Sequence, residues 1–150
     1  MSATVEPVRR TVVVPCDPAK AFALFTDEMG RWWPTGTHSV GRGDAVDVTV
    51  ESRVGGEIRE HLRSGQTVPW GTVTAWDPPA ELAMTWHPGY GADRATDVVV
   101  RFTAHDGGTL VELVHSGWDR LPDGPAKRAD YDTGWVPVLA EFAVRADAVA

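Results

Sequence analysis

The chain has 150 residues, 43% of them hydrophobic and 23% charged, with 14 basic and 21 acidic side chains and a net charge of −7. That composition belongs to a folded protein with one real core, here read as a single domain over 1–150, and it excludes a disordered chain. It also leaves no basic field to hold nucleic acid or an anionic membrane surface. The lone cysteine, Cys16, excludes an internal disulfide and a Cys-rich zinc site. No stretch approaches the roughly 18 apolar residues of a membrane span, so a reduced, cytoplasmic setting is expected. Arginine far outnumbers lysine, and asparagine is missing altogether, which suits a GC-rich, bacterial coding bias.

Val8 to Val14 is β-branched and stops at Pro15, which predicts a first strand. Asp17 is placed to cap a helix with Pro18 at its first position, and Ala21, Phe22, Leu24 and Phe25 give that helix an apolar face ending near Gly30. Trp32-Trp33-Pro34, His38 and the glycines up to Asp44 predict a short helical turn followed by an irregular loop. Val46, Val48 and Val50 then alternate with polar residues, as in a half-buried strand. A turn at Gly55-Gly56 leads into a strand in which Glu60 points the same way as Ile58 and Leu62. Further strands are expected over 68–76, 81–86, 98–103 and 110–115, joined mostly by hairpin-length turns, so that the sheet is antiparallel and strongly curved.

From Ala126 to Val149, Tyr131, Trp135, Val138, Leu139, Phe142 and Ala146 recur at helical spacing. Pro137 lies inside this pattern, so the helix is either kinked there or has its main part beginning near Thr133. The order is β-α-β6-α, with the long C-terminal helix burying its aromatic stripe against the concave face of the sheet.

Seven tryptophans are the unusual feature, and they either fill the core or line a cavity. Among the histidines, His61, His87 and His105 are expected to face solvent or loop. His115 shares the inner face of its strand with Val111 and Leu113, with Glu112 outward. An inward Glu60 needs a partner, for which Arg101 is available if the register allows; the alternative is an edge-strand carboxylate in water. No catalytic triad, metal motif or nucleotide-binding loop is present, so neither a metal nor a cofactor is expected. Cys16 at a helix start gains little as a nucleophile, because Asp17 opposes the helix N-terminus.

The runs Trp32-Trp33-Pro34, Arg53-Val54-Gly55-Gly56-Glu57-Ile58-Arg59-Glu60 and Trp70-Gly71-Thr72-Val73-Thr74-Ala75-Trp76-Asp77-Pro78-Pro79 resemble the Hsp90-ATPase-activator-homologue branch of the START-like (SRPBCC, Bet v 1-like) superfamily. So do Leu82-Ala83-Met84-Thr85-Trp86, Glu112-Leu113-Val114-His115-Ser116-Gly117-Trp118 and Tyr131-Asp132-Thr133-Gly134-Trp135. The resemblance implies an α+β helix-grip fold, a curved sheet of six or seven strands around the C-terminal helix with a cavity between them. It carries no shared catalytic constellation.

On that reading the cavity candidates are Trp33, His38, Glu60, Trp86, His115, Trp118, Tyr131, Trp135 and Phe142, with the loop from Trp32 to Asp44 as the gate. The expected activity is binding of a small hydrophobic or aromatic molecule. Two other expectations stand beside it: an Hsp90-type interaction domain, and a cyclase-like or hydrolase-like enzyme with Glu60 and His115 as acid and base. Homodimerisation through an edge strand or the helix is left open.

Overall fold

A computed structural model of the protein describes residues 5–149. The elements follow the expected order: β1 (Val8–Val14), α1 (Pro18–Thr26), α2 (Met29–Trp32), β2 (Ala45–Val50), β3 (Glu57–Leu62), β4 (Thr67–Asp77), β5 (Glu81–Trp86), β6 (Thr96–His105), β7 (Gly108–Ser116) and α3 (Gly124–Val149). Asp17 caps α1 as predicted, its carboxylate accepting the Lys20 N–H at 2.8 Å, with Pro18 as the first helical residue.

All strands pair antiparallel in one seven-stranded sheet of order β1-β7-β6-β5-β4-β3-β2. β1 returns to the last strand, in a register running from Val8 opposite His115 to Val14 opposite Thr109. β4 carries the curvature. Its first half, up to Thr72, pairs with β3, and from Val73 onward it pairs with β5, with a register shift in each ladder. Gly71 sits at this changeover, where an added Cβ would lie 1.8 Å from the Thr85 carbonyl oxygen, so only glycine lets the two strands approach. The result is the helix-grip α+β fold, a curled sheet closed by α3.

The apolar face of α3 was correctly read: Trp135, Val138, Leu139, Phe142 and Ala146 are all buried. Phe142 packs edge-on against Phe25 and Trp32, with ring centroids 5.2 and 5.1 Å apart. Removing such a ring from a filled core costs about 3–5 kcal/mol. Pro137 neither kinks α3 enough to divide it nor delays its start, since the helix runs unbroken from Gly124. Its position explains this: Pro137 and Thr133 are on the exposed side, so water can serve the Thr133 carbonyl that loses its partner.

β2 departs from the simple alternation. A register shift between Ala45 and Asp47 turns Val46 out to solvent, leaving Val48 as the buried valine of that strand.

Candidate functional site

Between α3, the loop after α2 and the inner face of the sheet lies a cavity of about 530 Å³. The tryptophans therefore line an open space. Trp33 comes from the loop, Trp70 and Trp86 from β4 and β5, and Trp135 from α3. Trp33 meets the other three at centroid distances of 5.0 Å (Trp70), 5.8 Å (Trp86) and 5.9 Å (Trp135), tilted or edge-on as aromatic rings prefer. Tyr131 and Gly134 continue the wall along α3; His38 and Val40 close it on the loop side, and Tyr90 stands at the rim.

Each buried indole but one has an acceptor. Trp33 donates to the His38 carbonyl at 2.7 Å, Trp70 to Glu60 Oε1 at 2.9 Å and Trp135 to His115 Nδ1 at 3.0 Å. Trp32 donates to the Leu24 carbonyl, and Trp118 to that of His115. The buried Nε1 of Trp86 has no hydrogen-bond partner.

Glu60 points inward as expected, and it is fully buried. Its partner is not Arg101, which lies on the outer face and pairs with Glu81 at 2.8 Å. Instead the carboxylate accepts three neutral N–H groups: Val40 N to Oε1 at 2.8 Å, Gly41 N to Oε2 at 2.7 Å, and the Trp70 indole. This arrangement satisfies a buried anion with convergent backbone dipoles, and it ties the loop wall and one aromatic wall to the same strand. Glu60 supports the cavity from behind and does not line it.

His115 is likewise fully buried and outside the lining. Because an indole can only donate, Nδ1 must accept, which leaves the proton on Nε2 to be donated to Thr96 Oγ1 at 2.6 Å. Thr96 in turn donates to the Trp86 carbonyl at 3.2 Å. Burial lowers the His115 pKa to about 3, so the ring is neutral at physiological pH. An acid–base pair of Glu60 and His115 is therefore not built here: one carboxylate is spent on three donors and the imidazole is locked as a neutral strut.

Of the remaining sequence candidates, Trp33, His38, Trp86, Tyr131 and Trp135 face the cavity, Trp118 lies behind it against His115, and Phe142 belongs to the core. His87 faces the β5–β6 loop, one of its two expected places, and is buried there with Nδ1 2.9 Å from the Tyr90 carbonyl. Trp70 and Tyr90 were missed. Trp70 could have been found by counting outward from the Ser64-Gly65-Gln66 turn, since Glu60 lies opposite Val68 and the next same-face residue on that strand is Trp70. Nothing in the sequence marks Tyr90, which is placed by the β5–β6 connection.

Tyr131 carries the cavity's buried phenol, whose pKa burial pushes up to about 12, while the Tyr90 hydroxyl stands at the exposed rim. The Trp86 N–H lies close enough to oppose that rise, without meeting the phenol in hydrogen-bonding geometry. The phenol is a donor at any ordinary pH.

The model of the family described as Activator of Hsp90 ATPase homolog 1-like protein matches residues 15–146. The chain belongs to that family. A crystal structure from Mesorhizobium loti superposes with a TM-score of 0.69 at 18% identity, covering 92% of this chain and 94% of that one. The solution structure of the Aha1 dimer from Colwellia psychrerythraea gives 0.68 at 17% identity, covering 93% and 94%. At these identities the likeness shows the fold alone. An anthrahydroquino-γ-pyrone synthase, solved as a complex, is 30% identical over 95% of this chain and 98% of its own, with a TM-score of 0.61. No curated protein matches the chain. Among the described residues no helix is long and apolar enough to cross a membrane.

Proposed function

We propose that the chain acts as one START-like domain that binds a small, flat, mainly apolar aromatic molecule in the cavity between α3 and the sheet. The observation that carries this reading is the open space of about 530 Å³ walled by Trp33, Trp70, Trp86 and Trp135. That volume lies within the roughly 300–1,000 Å³ of small-molecule sites, and rigid indoles offer a planar ligand stacking area at little entropic cost. The buried supports, Glu60 and His115, hold the walls in place before any ligand arrives, which lowers the ordering cost of binding.

The test is native mass spectrometry of freshly purified protein beside the same sample denatured. An extra small-molecule mass that is lost on denaturation is expected. A bare 16.2 kDa chain that also fails to take up added aromatic hydrocarbons or ketones would overturn the reading.

A second reading, ring closure on the bound molecule, is favoured by the synthase at 30% identity. The groups that face the cavity for such work are His38 as a base and the Tyr131 phenol as a donor to a developing oxyanion. Faster closure of 2′-hydroxychalcone to its cyclic isomer than in buffer would support it, with the phenol oxygen adding to the conjugated double bond and the proton passing to the adjacent carbon. An unchanged rate removes it.

A further inference from the structure

Beside the main cavity is a second, smaller compartment of about 30 Å³, the size of one water molecule or one ligand oxygen. It shares Trp86, Tyr90 and Tyr131 with the main cavity and adds Arg94 from the β5–β6 connection. Trp86 and Arg94 also carry two buried N–H groups without a protein partner, Trp86 Nε1 and Arg94 Nε.

Neither group can turn elsewhere to find one. The Trp86 ring is wedged among Trp33, Trp70 and Trp135, at 5.8, 5.5 and 5.4 Å. The Arg94 guanidinium is held by Asp123 at 2.7 Å and lies over the Tyr90 ring at 4.7 Å. Indole and guanidinium nitrogens donate and never accept, and the Tyr131 phenol beside Trp86, which could accept as well as donate, stands outside hydrogen-bonding geometry with its Nε1. Buried donors fixed in this way call for an acceptor. The Arg94 charge is matched by Asp123, and the Lys127 ammonium, which also lines the compartment, is spent on the Tyr90 hydroxyl at 2.9 Å with Asp123 and Asp130 opposing its charge, so the site suits a neutral acceptor better than a carboxylate.

We infer that this compartment is the polar end of the binding site and takes the carbonyl oxygen of an aromatic ketone or quinone whose rings lie against the four indoles. The inference rests on the aromatic-ligand reading above and narrows it to a chemical class. The oxygen accepts from Trp86 Nε1, with Tyr131 and Arg94 Nε as the neighbouring donors, and the ring system stays in the main cavity.

Fluorenone and fluorene test this, since they share one planar ring system and differ by the carbonyl. Equilibrium dialysis of the whole protein is expected to show fluorenone bound about tenfold more tightly. In Trp86→Phe the ratio of the two affinities is expected to fall to about one. In the unsubstituted protein the Trp86 indole proton, assigned by its loss in that variant, is expected to move downfield with fluorenone and not with fluorene. Equal affinities, or an indole proton that ignores fluorenone, would show a compartment that holds only water, overturning this inference while aromatic binding stands. Binding of neither compound would overturn both.

Discussion

The indole N–H of Trp135 donates to Nδ1 of His115 across 3.0 Å, and this bond fixes where the imidazole keeps its single proton. With Nδ1 occupied, Nε2 donates to Thr96, and the strand that carries Trp86 is joined to the helix that carries Trp135. Two walls of the cavity thus depend on one neutral ring.

That neutrality predicts an acid sensitivity with a definite sign. The folded state lowers the His115 pKa from 6.5 to about 3, so between those values the unfolded chain binds the extra proton. Stability is therefore complete above about pH 6.5 and falls as the pH drops toward 3, by about 1 kcal/mol between pH 7 and 5.5. Urea unfolding at those two pH values is expected to show this loss. A His115→Gln variant, less stable at neutral pH because Thr96 and Trp135 lose their geometry, should have a flatter profile; an equally steep one would place the sensitivity in other groups.

Glu60 offers a separate test of how the loop wall is held. Replacing it by Gln keeps its size but puts an NH₂ where one of three converging N–H groups must donate. A loss of about 1–3 kcal/mol is expected. Hydrogen exchange should quicken first at the Val40 and Gly41 amides, with the β6–β7 amides still protected. Undiminished stability together with unchanged exchange would mean that the carboxylate contributes nothing to the loop.

Gly134 separates ligand capacity from folding. It lines the cavity in mid-helix, and a Cβ added there would meet no atom within 4 Å. Gly134→Leu should stabilise α3 by up to about 1 kcal/mol through helix propensity while its side chain occupies the ligand space. A raised or unchanged melting temperature with at least about tenfold weaker fluorene binding is the expected pair of results. Undiminished binding would place the ligand elsewhere.

The fold was legible because its signals are local: a capped helix, alternating strands with glycine turns, and an aromatic stripe at helical spacing. The inward faces of Glu60 and His115 followed from alternation alone. Their partners did not, because Val40 and Gly41 reach Glu60 through an irregular loop whose path no periodicity records. Val46 was misplaced because a register shift breaks the period of two. The role given to Glu60 and His115 at the cavity surface failed for a related reason: alternation distinguishes inside from outside, but it does not distinguish a cavity wall from the layer supporting it.

Pro137 divides α3 by function even though it does not divide it in shape. The turns before it carry Tyr131, Gly134 and Trp135 at the cavity, Val138 directly after it ends that wall, and the later turns carry Leu139, Phe142 and Ala146 in the packed core. A helix missing one internal hydrogen bond, with a glycine three residues earlier, opens locally at lower free energy than an unbroken one. The bonds from Trp135 to His115 and from Arg10 to Asp132 therefore hold the cavity-lining turns to the sheet where the helix's own backbone is weakest.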